Sequence, residues 1–204
     1  PGVEIQLLWT VDGDRTNIVY YSDVRISDKY RLGEVNEGWT VVREPLNKEH
    51  GVVDAVIDGL DDVSILQHQG VYVAKAADAV VREVSQEGPD GTRRVDDPLV
   101  SVRLGQSLAK VEAALASPHM FGRVALAQAM RDVSPVLMDI VGPTSVLPID
   151  EPGADLSRAE YVYRWSPLTG IYGGTLEVFR NMIAQYILGL GKPVYAAPKA
   201  PAAS

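Results

Sequence analysis

A glycine loop is the part of the chain best suited to chemistry. Gly173, Gly174 and Thr175 stand directly before a segment with an apolar stripe, and Gly191 and Pro193 close that segment. Thr175 predicts a helix N-cap, and the two closing residues predict its end. The amides and dipole at a helix start bind anions such as phosphate, although the same residues are more often a plain loop and cap. The stripe consists of Leu176, Phe179, Ile183, Tyr186, Ile187 and Leu190.

Composition excludes several other kinds of site. The chain has 204 residues, of which 46% are hydrophobic, and it contains no cysteine. Thiol nucleophiles, disulfides and thiolate metal sites are therefore excluded, and His50, His68 and His119 are too widely spaced for a zinc site or a catalytic triad. A net charge of −8 with mixed signs argues against nucleic-acid binding. Without a span of about 20 apolar residues or a signal-like opening, we expect a cytoplasmic protein with no membrane span.

The first part of the chain predicts β-structure. Residues 3–7 alternate apolar and polar side chains, Asp12 and Gly13 supply a turn, and 17–26 form a second strand region. Two or three strands do not make a stable sheet alone. This segment therefore belongs to something larger or pairs with another chain.

The remainder predicts an up-and-down helical bundle. We expect the fold class to be α+β and mainly α, with a partial β-domain at 1–37, a helical domain at 38–192 and a flexible tail at 193–204. Pro45 is expected to kink or restart its helix, and Pro135 to kink its own. The predicted helical stretches are 39–60, 63–84, a third that starts at Asp97 and Pro98, 121–141, 156–165, and a last helix after the glycine loop.

Two separated stretches resemble the acyl-CoA dehydrogenases. The loop and helix from 171 to 193 are similar to the family's final helix, where a tyrosine, a glutamate, a glycine and a threonine lie beside bound flavin. Residues 17–51 are similar to the family's passage from the middle β-domain into the C-terminal helices. The resemblance implies that the chain is the C-terminal portion of such a protein, without the N-terminal helical domain that supplies much of the substrate pocket.

The resemblance also implies a reaction and its residues. The family removes a proton beside a thioester carbonyl and passes a hydride from the next carbon to FAD. Its usual base is the glutamate that Gly173 replaces here, but one branch, which includes isovaleryl- and long-chain-type enzymes, carries the base on the first C-terminal helix. Glu49 falls at that alternative position, and the backbone amide of Gly173 is still expected to polarise the substrate carbonyl.

Further residues are implied as FAD contacts. Thr175 and Glu177 match positions that touch the adenosine and diphosphate, with Gly174 beside them, and Gly142 matches a glycine at an adenosine contact. Many members carry an uncharged glutamine at the position of Glu177, and a carboxylate there would repel a diphosphate. The family's arginine–phenylalanine–glycine motif is absent between 59 and 99. Arg93, Arg94 and Arg103 are either solvated side chains or replacements by charge alone.

The resemblance extends to partners. It implies an acyl-CoA substrate, electron-transfer flavoprotein as electron acceptor, and a homo- or hetero-tetramer. The loss of cofactor contacts resembles actinobacterial members that act as heterotetramers on steroid side-chain thioesters. The alternatives are a non-catalytic subunit or remnant that completes a neighbour's flavin site, and a plain helical interaction domain.

Overall fold

The computed structural model describes residues 2–49, 70–146 and 157–191. At its start, strands β1 (Val3–Trp9) and β2 (Arg15–Tyr21) form an antiparallel hairpin. β2 stops at Tyr21, so the expected continuation through 24–26 is wrong. Asp23 adopts a left-handed backbone, with φ of 53°, which ends the extended conformation. Every residue of both strands is exposed, as expected for a hairpin without a larger sheet.

Six α-helices follow in the described ranges, and the expected mainly helical fold class is confirmed. A single π-helical turn, Ile183–Ile187, extends the last of them. The helices are α1 (Gly38–Glu49), α2 (Gly70–Val84), α3 (Pro98–Leu115), α4 (His119–Val141), α5 (Ser157–Thr169) and α6 (Leu176–Met182).

The core is organised around α4. This helix packs against α2, α3, α5 and α6, and α2 also contacts α3 and α5. Burial of the apolar side chains between these helices supplies the main driving force for the bundle. The fully buried members include Val73, Val80, Val111, Met130, Val133, Leu137 and Val162.

Local signals explain most helix ends. The Asp97 carboxylate accepts from the Leu99 amide at 2.8 Å, and Pro98 occupies the first turn, so the predicted start of α3 is confirmed. α4 ends at Gly142, whose φ of 88° suits glycine. Pro45 and Pro135 lie inside α1 and α4 rather than at their ends. The predicted helical residues 50–69 lie outside the described ranges, and so does the predicted tail at 193–204. The division into domains stays a prediction.

The last helix differs from the expected uninterrupted run to Leu190. Its α-helical part ends at Met182, the π-turn follows, and Gly189 has a left-handed φ of 64°. The wider turn changes the direction of the stripe. Its first half is therefore buried, at Leu176, Phe179 and Ile183, while Tyr186, Ile187 and Leu190 are exposed.

Across the ranges described, no helix combines the length and the apolar character that crossing a membrane requires.

Candidate functional site

The glycine loop connects α5 to α6. The Tyr172 amide donates to the Leu168 carbonyl at 3.1 Å, which continues the turn at the end of α5. Gly173 and Gly174 then take φ values of 64° and 105°, where a side chain is disfavoured. The sequence needs glycine at both positions because residues with a side chain rarely adopt such positive φ values.

The start of α6 carries its own anion. The Thr175 hydroxyl oxygen accepts from the Val178 amide at 3.3 Å, which confirms the predicted cap. Hydrogen bonds from its own backbone amide and from the Thr175 hydroxyl lower the pKa of the Glu177 carboxyl, and Arg180 adds to this at 3.4 Å. The Glu177 carboxylate is therefore ionised at the position where an anionic ligand would meet the helix dipole.

A buried arginine lies directly behind the loop. Arg123, near the start of α4, is only 1% exposed, and its Nη2 donates to the Tyr172 carbonyl oxygen at 2.9 Å. Its guanidinium carbon lies 5.6 Å from the centre of the Tyr172 ring and 5.3 Å from that of Phe179. Both rings lie within the range of cation–π attraction. The arginine thus joins α4, the loop and α6.

Burial has electrostatic consequences around Arg123. Loss of water lowers the pKa of its guanidinium, and the Tyr172 side chain partly offsets this. Burial likewise raises the pKa of the Tyr172 phenol, against the influence of Arg123. Within the described residues, neither the Arg123 Nε nor the Tyr172 hydroxyl has a hydrogen-bond partner. Buried polar groups nearly always have a hydrogen-bond partner, so these two atoms are uncommon.

The helix that leads into the loop is also held by the β-hairpin. The Arg164 guanidinium, on α5, donates to the Val11 carbonyl in the hairpin turn at 3.1 Å and pairs with Glu160 at 3.0 Å. Asp12, in the same turn, is only 3% exposed. The turn of the hairpin therefore contacts α5, the helix that positions the glycine loop.

A cavity opens between α2 and α5. Tyr72, Arg158, Tyr161 and Val162 line a space of about 230 Å³. The Tyr72 ring meets Trp165 edge-on at 5.2 Å between centroids. Burial, followed by the charge of the hairpin turn, raises the pKa of the Tyr161 phenol. The lining is mainly apolar and suits an uncharged group.

The structure brings some predicted site residues together and separates others. Gly173, Gly174, Thr175 and Glu177 lie in one loop and helix start. Gly142 lies at the opposite end of α4 from Arg123, roughly 28 Å away at about 1.5 Å per residue. Glu49 is the final described residue of α1, and its side chain lies outside the described part. Its role as base stays a prediction.

The three arginines considered as replacements for the missing motif have structural partners. Arg93 pairs with Asp96 at 2.8 Å, and Arg103 pairs with Asp139 at 2.9 Å. Arg94 donates to the Val141 carbonyl at 3.3 Å and also to that of Ile140, so it caps the end of α4.

Sequence reasoning missed Arg123. The available signal was a single arginine among apolar residues, in the run Met120-Phe121-Gly122-Arg123-Val124-Ala125-Leu126. Arginine is seldom fully buried, so its type alone favoured a solvated position. Only its place on the apolar face of α4 indicated burial.

Comparisons with known proteins find similar sequences among the acyl-CoA dehydrogenases. The acyl-CoA dehydrogenase FadE26 of Mycobacterium tuberculosis is 29% identical over 207 residues, which cover 89% of this chain and 47% of the relative. The acyl-CoA dehydrogenase IpdE1 of Mycolicibacterium smegmatis is 29% identical over 211 residues, covering 95% and 47%. The chain spans about half the length of the curated relatives it matches. No protein-family model matches it.

Solved structures show the same fold. The ChsE4–ChsE5 complex from Mycobacterium tuberculosis superposes with a TM-score of 0.73 at 25% identity, covering 95% of this chain and 50% of the matched one. A steroid acyl-CoA dehydrogenase, Tcur3481–Tcur3483, gives 0.74 at 24% identity, covering 96% and 50%. Glutaryl-coenzyme A dehydrogenase, in complex with glutaryl-CoA, gives 0.69 at 17%. By sequence and by fold, the chain is similar to acyl-CoA dehydrogenases over about half of their length.

Proposed function

We propose that the intact protein is a flavin-dependent acyl-CoA dehydrogenase, which converts a saturated acyl-CoA to its α,β-unsaturated thioester. The supporting observation is the Tyr172–Gly173 peptide, whose carbonyl accepts a hydrogen bond from Arg123 and which leads into two adjacent glycines without side chains. Such a loop leaves room for a substrate and offers a backbone N–H as donor. Gly173 cannot act as base, so the base must come from another element.

The residues of the loop fit one part of FAD and not another. Two glycines and the Thr175 hydroxyl suit an uncharged, closely approaching group such as the ribityl chain. The ionised Glu177 carboxylate does not suit a diphosphate, because like charges repel strongly at short distance. We therefore propose that Gly174 and Thr175 face the uncharged part of the cofactor. Glu177 and Gly142 fit an FAD contact less well, because the Glu177 carboxylate would repel the diphosphate and Gly142 lies far from the loop.

Each residue then has a defined task. The Gly173 amide donates to the thioester carbonyl oxygen and stabilises the negative charge that develops there. Glu49 accepts the α-proton, and desolvation by bound substrate raises its proton affinity toward working pH. A bound flavin supplies the acceptor for the hydride that leaves the β-carbon.

The base assignment is tested by Glu49→Gln in the intact protein. We expect acyl-CoA-dependent flavin reduction to fall by at least about 10³-fold, since an essential proton acceptor is lost. The flavin spectrum should be unchanged. Glu44→Gln is the matched control, because Glu44 is an exposed glutamate of the same helix. If the Glu49→Gln variant reduced its flavin at the wild-type rate, Glu49 would be ruled out as the base.

A second candidate function is a partner subunit that completes a neighbour's flavin site. Two observations favour it: the exposed hairpin and the carboxylate of Glu177 at the helix start. Two of the similar structures are described as assemblies of two named components. Copurification separates the functions, because a silent subunit on its own would carry no flavin and show no reduction by acyl-CoA.

Assembly and electron transfer follow from the same proposal. The exposed part of the apolar stripe, at Tyr186, Ile187 and Leu190, suits burial in a homo- or hetero-tetramer. We propose electron-transfer flavoprotein as acceptor and the cytoplasm as the compartment. One similar structure is described as an electron transferring flavoprotein of Acidaminococcus fermentans and concerns flavin-based electron bifurcation. Another is described as a steroid acyl-CoA dehydrogenase, which supports a steroid or fatty acyl thioester as substrate.

A further inference from the structure

A buried arginine holds the peptide bond whose N–H the proposed reaction uses. We propose that Arg123 is a positioning residue: it fixes and polarises the Tyr172–Gly173 peptide, so that the Gly173 N–H faces the substrate carbonyl as a strengthened donor. The inference rests on the proposed function and adds a residue that acts through the loop without touching substrate.

Peptide geometry sets the direction of the N–H. No cis peptide occurs in the described residues, so the C=O and N–H bonds of this unit lie in one plane and point in opposite directions. The carbonyl points to Arg123 on α4, with 2.9 Å between Nη2 and the oxygen. The Gly173 N–H therefore points away from α4. No described carbonyl accepts it.

The loop needs a contact that fixes its conformation, because it contains two adjacent glycines. Glycine adopts positive and negative φ with similar ease, so nothing intrinsic to Gly173 and Gly174 prevents the peptide from flipping. A flipped peptide would direct its N–H toward the guanidinium and remove the acceptor of Nη2. That would leave a buried charged donor unsatisfied beside the already unpartnered Nε. The charged side chain thus selects one of two accessible loop conformations.

The same hydrogen bond also polarises the peptide. A charged donor forms a stronger bond than a neutral one, and an amide whose carbonyl accepts a bond becomes a better donor at its N–H. Within the described residues, no carboxylate pairs with Arg123, and the Tyr172 and Phe179 rings enclose its guanidinium. In the part of the chain that the structure describes, this guanidinium therefore has no carboxylate partner, and only 1% of the residue is exposed to water.

The test replaces Arg123 in the intact, flavin-loaded protein. Arg123→Met keeps the length and removes the charge and the donors, Arg123→Lys keeps the charge, and Arg103→Met is the control. Arg103 is an arginine that also contacts α4, through Asp139, but not the loop. Each variant is mixed with the acyl-CoA that reduces the wild-type flavin fastest among straight-chain, branched and sterol side-chain thioesters.

Two readouts distinguish positioning from a structural role. We expect Arg123→Met to slow flavin reduction by about 10- to 100-fold, a loss at or below that of removing an oxyanion donor, with little change in substrate Kd. The infrared stretch of the ¹³C-labelled thioester carbonyl, shifted down when bound to the wild type, should return toward its value in water. Arg123→Lys should retain part of both effects, and Arg103→Met all of both.

Stability is measured on the same samples. Arg123 has no described carboxylate partner, so an apolar replacement of similar length should leave the protein folded. Wild-type reduction and an unchanged carbonyl stretch in Arg123→Met would overturn the inference. Unfolding of both Arg123 variants would show a structural role and also overturn it. If the wild type itself is not reduced by any thioester, the proposed function fails instead.

Discussion

Replacing Phe179 with alanine should release α6 from the bundle. Phe179 is 1% exposed and packs with Met120 and Ile183, and its ring faces the Arg123 guanidinium. Removal of a buried phenylalanine costs about 3–5 kcal/mol. Loss of the cation–π contact adds about 1 kcal/mol. The α-helical part of α6 has only seven residues, so it has little intrinsic stability to offset this loss.

The assay is thermal unfolding of the intact protein, together with amide hydrogen exchange. For a chain of this size, a loss of about 5 kcal/mol lowers Tm by roughly 10–20 °C. Amides of 176–187 should exchange faster than those of α4. Val178→Ala is the control, because Val178 is half-exposed on the same helix and its truncation should cost less than about 0.5 kcal/mol.

The packing described for α6 would be refuted by a Tm within about 2 °C of the wild type. A change of about 0.5 kcal/mol or less in the exchange protection of 176–187 would refute it too. A double-mutant cycle of Phe179→Ala with Arg123→Met measures the contact between the two side chains. We expect a coupling of about 0.5–2 kcal/mol. A coupling near zero would mean that the ring and the guanidinium act independently.

Three further changes test neighbouring features. Gly174→Ala should destabilise by about 1–3 kcal/mol in urea unfolding, because alanine is strained at a φ of 105°; an unchanged midpoint would argue against this loop conformation. Glu177→Gln tests the lowered carboxyl pKa: the wild type has the carboxylate's stabilisation above the ordinary value of 4.5 and loses it as pH falls through the lower folded pKa. The variant should lack this acid-dependent loss, and identical stability–pH curves would contradict the assignment. Arg94→Met should destabilise by about 1–3 kcal/mol, because the carbonyls of Ile140 and Val141 lose a charged donor; equal denaturant midpoints would count against that cap.

Local signals allowed much of the fold to be predicted from sequence. Asp97 and Pro98 marked the start of α3, and Thr175 marked the start of α6, because capping depends on neighbouring residues alone. The adjacent glycines correctly indicated a loop, and both take positive φ. The family resemblance, carried by two short motifs, also agrees with the matched relatives.

The features that sequence could not reveal depend on tertiary contacts. The burial of Arg123 follows from the packing of α4 against the loop and α6, which no local pattern encodes. The apolar stripe ran evenly to Leu190, yet only its first half is buried, because the π-turn redirects the rest. The strand predicted at 24–26 failed because the left-handed Asp23 ends β2, a conformation that residue type alone does not determine.

The most direct test of the proposed dehydrogenase activity is anaerobic addition of acyl-CoA to the intact protein as purified. We expect copurifying flavin whose visible absorbance bleaches on addition, with one equivalent of α,β-unsaturated thioester formed per flavin reduced. Glu49→Gln should retain the flavin and not bleach. A wild-type protein without flavin, or with flavin that no acyl-CoA reduces, would contradict the proposed activity and leave the silent subunit and the plain helical interaction domain as the alternatives.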